Sequence, residues 1–180
     1  TYYTLFIIII IIIIIIISQY TSHCWARASY TTERIHHVTT HDGYRLQMDR
    51  IPYPRHQTSS DRPDRPVVFA MHGLLSASSS YIVLGHENSL AYNLADAGFD
   101  VWLGNARGNI FSRYHESLNP DDDEEKLEFF DFTWEEIGMI DVTTMIDYVL
   151  NYTGQEKLHY IGHSQAIKVI TSGTAPTNYF

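Results

Sequence analysis

The residues best suited to chemistry are Gly162-His163-Ser164-Gln165-Ala166. They follow a short apolar stretch, Leu158 to Ile161, and run into a helical pattern, so Ser164 falls on a sharp strand-to-helix turn. A Ser held in strained backbone angles on such a turn stands clear of the sheet and can attack a carbonyl carbon, giving acyl transfer through a covalent intermediate. The positions two before and two after it must be small, because strand and helix backbones crowd there. Gly162 meets that demand, and Ala166 is the least bulky replacement for the glycine usual at the second place. The pattern G-x-S-x-[GA] is weak in isolation, and an ordinary strand-to-helix turn is the alternative. Its position after a buried strand and before a helix gives it weight.

A second feature answers to the first. The apolar run Val67 to Met71 ends in His72-Gly73-Leu74-Leu75. Ester cleavage puts negative charge on the former carbonyl oxygen, and two fixed N–H donors there supply several kcal/mol of stabilisation. In α/β-hydrolases one donor comes from the loop after such a strand and the other from the residue after the nucleophile. The expected oxyanion donors are the backbone N–H groups of Leu74 and Gln165, with Ser164 as nucleophile.

These groups need elements to hold them. Glu33 to Thr40 and Tyr44 to Ile51 read as two strands joined at His41-Asp42-Gly43, a turn expected to place both Asp42 and Gly43 at positive φ. Tyr44, Leu46 and Met48 alternate with Arg45, Gln47 and Asp49, the period of a half-buried strand. Pro52, Pro54, Pro63 and Pro66 mark a surface connection. Val67 to Met71, Phe99 to Leu103 and Leu158 to Ile161 read as strands covered on both faces. Between them lie two helical patterns. In Ser89 to Ala97, Leu90, Leu94 and Ala97 share a face and Gly98 stops the helix. In Thr133 to Tyr152, Val142, Met145, Ile146 and Val149 share a face and Gly154 stops it. Strand, helix, strand, helix, strand is the grammar of a parallel sheet with right-handed crossovers. The predicted fold is therefore α/β, a mostly parallel sheet with an antiparallel hairpin in front.

Composition narrows the function classes. A chain of 180 residues, 44% of them hydrophobic, can bury one core. A formal charge of −9 argues against a nucleic-acid partner. The acidic run Asp121 to Glu125 reads as a solvated loop; it lacks the central Gly and alternate carboxylates of a calcium loop. One cysteine, Cys24, excludes an internal disulfide and a cysteine-based zinc site. His36, His37 and His41 invite a metal reading, but no carboxylate accompanies them in register, so ordinary strand histidines are expected. The apolar run from Leu5 to Ile17 is 13 residues long, short for a membrane span and suited to the heart of a secretory signal; a membrane anchor and a gene-model artefact are the other readings. The sequon Asn151-Tyr152-Thr153 is compatible with the secretory route. The expected organisation is a signal-like segment over 1–20, a lead-in over 21–32, the catalytic-type domain over 33–165 and a divergent tail over 166–180.

The motifs resemble the N-terminal half of the acid lipases, the family of lysosomal acid lipase, gastric lipase and their insect relatives. The likeness is carried by His37-Val38-Thr39-Thr40-His41-Asp42-Gly43-Tyr44, Arg50-Ile51-Pro52 and Met71-His72-Gly73-Leu74-Leu75. It continues through Ser89-Leu90-Ala91-Tyr92-Asn93-Leu94-Ala95-Asp96-Ala97-Gly98, Asp100-Val101-Trp102-Leu103-Gly104-Asn105-Ala106-Arg107-Gly108-Asn109 and Ser112-Arg113-Tyr114-His115. It closes with Ile146-Asp147-Tyr148-Val149-Leu150, Thr153-Gly154 and the elbow through Gln165. The resemblance implies a partial α/β-hydrolase fold and hydrolysis of neutral lipid esters, triacylglycerols or sterol esters, at a lipid–water interface in a secreted or lysosomal setting. It implies no metal or organic cofactor. Ser164 matches the family nucleophile, and Leu74 and Gln165 its oxyanion donors. The stretch around Asn105 and Arg107 is a family hallmark with a structural role, Arg107 being placed to tie its loop to a carboxylate.

The family pattern breaks after Gln165. The triad order is Ser, then Asp or Glu, then His, yet the 16 residues after Ser164 contain no Asp, Glu or His. The expectation is an incomplete N-terminal half, inactive by itself, whose strand before the elbow becomes a sheet edge. Rescue by His72, His163 or His115 is not expected. The alternative is a non-catalytic, secreted pseudo-lipase that binds lipid or protein through the half-site.

Overall fold

A computed structural model describes residues 34–54 and 64–167. The apolar tract, the lead-in, most of the proline-marked connection and the tail beyond 167 lie outside the described residues. Five strands form one mixed sheet: β1 (Arg34–Thr39), β2 (Arg45–Ile51), β3 (Val67–Met71), β4 (Asp100–Gly104) and β5 (His159–Gly162), in the order β1-β2-β4-β3-β5. β3, β4 and β5 run parallel, and the β1–β2 hairpin joins β4 antiparallel. The α/β architecture with a hairpin in front is thus the one expected. Helices α1 (Leu90–Asp96), α2 (Lys126–Phe129), α3 (Trp134–Glu136) and α4 (Thr143–Thr153) complete the described elements, with a 3-10 turn at Ser78–Tyr81 and a π-helical stretch at Ile137–Val142.

The period of two decides which side chains face which layer. Val67, Phe69 and Met71 point with Trp102 into a core covered by Val142, Met145, Ile146 and Val149. Ala70, Val101 and Leu103 point the other way, against Ala91, Tyr92 and Ala95 of α1. The two helical layers take opposite faces because the chain steps from β3 to β4 in one direction and from β4 across β3 to β5 in the other. With right-handed crossovers, that reversal puts the connections on opposite sides.

Several expectations need correction. In the hairpin turn only Gly43 has positive φ, 97°; Asp42 does not. Thr40 accepts from the Gly43 N–H at 3.0 Å while its own N–H donates to Tyr44 at 2.8 Å, so the loop takes the longer form in which one Gly supplies the left-handed residue. β2 is not half-buried. Gln47 and Asp49 are buried along with their apolar neighbours, because β2 lies inside the sheet and the 3-10 turn covers its second face. Asp49 there accepts from the Ser78 hydroxyl at 2.6 Å and from Gln47 at 2.9 Å. In α1 the buried face is Ala91, Tyr92 and Ala95, while Leu90 stays exposed; the short helix packs on the sheet through two alanines and one large ring. β5 is only partly covered, as one of the two edge strands of the described sheet.

The long helical pattern from Thr133 is real but interrupted. Thr133 caps it with a capping box: its hydroxyl accepts from the Glu135 N–H at 3.1 Å, and Glu136 accepts from the Thr133 N–H at 2.8 Å. The π-helical stretch then changes the phase before α4, and Gly154 ends α4 at φ 69°. The acidic run is an exposed loop in which Arg113 meets Asp121 at 2.6 Å and Lys126 pairs with Asp123. Among the described residues no helix is long and apolar enough to cross a membrane.

Candidate active site

β3 and β5 are neighbours with Met71 opposite Gly162, so the loops leaving their C-terminal ends start side by side. The His163 N–H donates to the Met71 carbonyl at 3.1 Å, holding the two exits together. Ser164 follows with φ 55°, a left-handed value that Ser adopts only under local constraint, and its residue is exposed. The constraint is crowding. A Cβ on Gly162 would stand 2.8 Å from Tyr160 Cε1 and 3.1 Å from the backbone of Ala166. Ala166 itself is buried in the larger core, so its methyl group is accommodated.

The loop after β3 closes on the same turn. A Cβ on Gly73 would come within 2.9 Å of His163 Nδ1 and 3.0 Å of Ser164 Cβ. Leu74 is therefore the residue next to this contact, and Leu75 after it also takes positive φ, 56°. The elbow's turn bonds run from the N–H groups of His163, Ala166 and Ile167; those of Leu74 and Gln165 take no part in them. The Gln165 amide sits in the first turn of the following helix, where backbone donors have no partner within the helix.

His72 is buried and fully engaged. Its Nδ1 lies 2.8 Å from the Gly73 carbonyl oxygen, which can only accept, so Nδ1 carries the proton. Its Nε2 then accepts from the Ala106 N–H at 3.2 Å and faces the Asn109 amide, also at 3.2 Å. Burial pushes the pKa of His72 down to about 4, against the pull of the Gly73 carbonyl. His115 is likewise committed: Nε2 is 2.7 Å from the Asp42 carbonyl, and Nδ1 accepts from the N–H groups of Ser117 and Leu118, each at 3.1 Å. Neither ring has a free nitrogen to serve as a base for Ser164. His36 sits far from the elbow's chemistry, with Nδ1 3.0 Å from the Tyr148 hydroxyl and its ring against Trp102.

Behind the loop stands a buried ionic cluster. Arg107 joins Asp42 at 2.7 Å and Asp141 at 2.8 Å, while its backbone N–H donates to Asp141 at 2.8 Å. Its guanidinium carbon lies 4.0 Å from the centre of the Tyr44 ring, a cation–π contact. The sequence reading foresaw one carboxylate for Arg107; there are two, one from the hairpin turn and one from the π-helical stretch. Burial pushes the Asp141 carboxyl up to about 6 against the attraction of Arg107. Burial also pushes Asp42 upward, but hydrogen bonds from Arg107 and Thr40 outweigh it and hold that carboxyl below its ordinary value. Asp141 was missed from sequence, although a signal existed: it lies on the buried stripe four residues before Met145 and eight before Val149. A carboxylate on an apolar stripe demands a cationic partner.

A narrow cavity lined by Met71, His72, Ala106, Gln165 and Ala166 lies directly beneath the elbow. A wider groove of ≈ 480 Å³ opens at the other end of β3 and β5, along Pro66, Leu158 and Tyr160, and contains none of the residues expected to do chemistry. Asn151 is exposed on the last turn of α4, and the Thr153 hydroxyl of its sequon donates to the Val149 carbonyl at 2.7 Å.

Comparison with known proteins places the fold. The family described as alpha/beta hydrolase fold matches residues 66–166, and the family described as partial alpha/beta-hydrolase lipase region matches residues 21–85. The chain is 51% identical over 140 residues to Lipase 1 of Drosophila melanogaster, covering 78% of this chain and 29% of that protein. It is 46% identical over 132 residues to human lysosomal acid lipase/cholesteryl ester hydrolase (73% and 32% covered), and 44% identical over 145 residues to bovine gastric triacylglycerol lipase (79% and 35%). Among solved structures, an alpha/beta hydrolase from Novosphingobium aromaticivorans superposes with a TM-score of 0.53 at 19% identity, covering 82% of this chain and 41% of that one. An esterase of Pyrococcus furiosus gives 0.52 at 14% identity, covering 82% and 49%. These two likenesses concern the fold alone. The chain spans about a third of the length of the curated relatives it matches. It belongs to the α/β-hydrolase fold family and, within that family, its likeness is to the N-terminal part of the acid lipases.

Proposed function

We propose that this chain carries the nucleophile half of a lipase site, for a serine ester hydrolase acting on neutral lipid esters such as triacylglycerols or sterol esters. Ser164 is the nucleophile, and the backbone N–H groups of Leu74 and Gln165 hold the oxyanion. The observation that carries this reading is the left-handed Ser164 on an exposed turn with Gly73 packed against it. The lipase names of the relatives support the substrate class. That His72 and His115 have both ring nitrogens engaged supports the reading that neither is the base for Ser164. On this reading hydrolysis needs a general base other than His72 and His115. The gastric and lysosomal relatives favour a secreted or lysosomal location, with Asn151 exposed for glycosylation. No cofactor enters the mechanism.

One observation favours a second reading, a non-catalytic protein that binds lipid. Leu74 and Leu75 are 69% and 71% exposed beside the elbow, and Ile167 is 51% exposed just after it. An organophosphonate ester of a long-chain alcohol separates the two. In the full-length protein, mass spectrometry of the peptide containing Ser164 should show one phosphonyl adduct, absent from Ser164→Ala, together with hydrolysis of trioleoylglycerol or cholesteryl oleate. Vesicle binding without adduct or hydrolysis would instead establish the second reading.

A further inference from the structure

Among the described residues, the peptide unit between Gly73 and Leu74 is held through its carbonyl, and the group that holds it is a side chain. No peptide bond among the described residues is cis, so the Gly73 carbonyl and the Leu74 N–H point in opposite directions along one rigid plane. His72 Nδ1 donates to that carbonyl at 2.8 Å. Fixing the oxygen toward the buried imidazole therefore fixes the Leu74 N–H away from it. Gly73 also packs against Ser164, whose Cβ lies 3.0 Å from where a Gly73 Cβ would be. The imidazole is itself set by its second nitrogen. Nε2 faces two donors, the Ala106 N–H and the Asn109 side chain, each at 3.2 Å, so it must keep its lone pair and leave the proton on Nδ1. The Asn109 amide is oriented in turn by Asn105 Oδ1 at 2.9 Å, and the segment beginning at Ala106 is anchored by the bonds of Arg107 to Asp141.

We propose that His72 is a positioning residue for ester hydrolysis, acting as a fixed Nδ1–H donor that sets the Gly73–Leu74 peptide so that the Leu74 N–H faces the oxyanion. Its neutral tautomer is selected by Ala106 and Asn109. This inference rests on the reading of Leu74 as an oxyanion donor. It gives the Asn105 to Asn109 segment a task, since the segment selects the tautomer of the ring that orients the peptide. The imidazole neither touches substrate nor exchanges a proton during turnover.

The two nitrogens can be mimicked separately. The Asn side-chain nitrogen occupies the place of Nδ1, and the Gln side-chain oxygen reaches the place of Nε2. In the full-length protein, His72→Gln should keep the Ala106 bond and lose the peptide clamp, lowering kcat by about 100-fold with KM within twofold, the lower end of the range for a lost oxyanion donor. His72→Asn should restore kcat to within about fivefold of the parent, since the donor to Gly73 is retained. A merely structural role predicts the same kcat for both variants at matched Tm, or Gln better than Asn, and either result overturns the proposal. 15N NMR of the histidine-labelled protein gives a readout independent of turnover. His72 should show a protonated Nδ1 and an unprotonated Nε2, and the opposite tautomer also overturns the proposal. Ser164→Ala separates the failures: activity surviving that change sinks the nucleophile reading, whereas activity lost there but equal in the two His72 variants sinks only this inference.

Discussion

Gly73 and Ser164 meet so closely that a methyl group on the first would stand 3.0 Å from the Cβ of the second. The residues are 91 positions apart, from 73 to 164, and come together because each is the second residue beyond the end of one of two adjacent parallel strands. The contact makes Gly73 a test of how tightly the β3 loop must pack on the elbow. Gly73→Ala should cost about 1–3 kcal/mol of stability through overpacking. In the full-length protein it should also lower kcat/KM by about 100-fold, because a displacement on the order of 1 Å has that effect at a reacting centre. Urea unfolding and ester hydrolysis measured on one preparation check both; unchanged activity would mean the loop is free of the elbow.

The flanks of the elbow should respond unequally. Gly162→Ala drives a methyl group into backbone 3.1 Å away that cannot yield, so a loss of about 1–3 kcal/mol is expected. Ala166→Gly relieves nothing, because the Ala166 methyl is already buried in the core. Removing it and freeing the backbone should cost about 1 kcal/mol. Thermal unfolding of the two variants beside the parent decides the matter, and a stabilised Ala166→Gly would show that the alanine strains the turn.

The Arg107 cluster joins three distant pieces of chain, and its geometry cannot be kept by a point charge. Asp141→Asn leaves a buried guanidinium short of one carboxylate and should destabilise the fold by about 3–5 kcal/mol. Arg107→Lys should cost a similar amount, because an ammonium cannot satisfy Asp42 and Asp141 together with the fork that Arg provides. A double-mutant cycle in urea would report the coupling. A coupling near zero would mean that Asp42 alone carries the interaction.

Acid should weaken the fold through His72. Its folded pKa, about 4, lies below the ordinary histidine value of 6.5. The unfolded chain therefore binds the proton first, and stability is fully present above pH 6.5 and lost as pH falls toward 4. The difference between the two values corresponds to about 3 kcal/mol at most. His72→Asn, which has no such titration, should flatten that part of the profile. Urea midpoints collected between pH 4 and pH 7 test the sign, and an equally steep slope in the variant would assign it to another group.

Much of the plan could be read along the chain. Val67 to Met71 and the stripe Val142, Met145, Ile146 and Val149 are local patterns, since each records on its own residues which side chains are apolar and which way they point. The G-x-S-x-A turn and the His72-Gly73 pair are local as well, because small residues are required wherever backbones crowd. Burial of Gln47 and Asp49 was not legible. An alternating strand looks the same whether its polar face meets water or a 3-10 turn bearing Ser78, and only the covering element decides. The exposed Leu90 and the partly covered β5 have the same cause, for burial depends on what packs against a residue and periodicity reports only direction.

The sequence by itself thus determined the α/β class with its front hairpin and the strained Ser164 turn, each being written in residue type and short spacing. Tertiary structure alone decided that Arg107 has two carboxylates, that Asp141 is one of them, and that both nitrogens of His72 are occupied. Those bonds join residues that chain order keeps apart by tens of positions. Their existence depends on strand neighbours and on the phase of the π-helical stretch, quantities that no local pattern encodes.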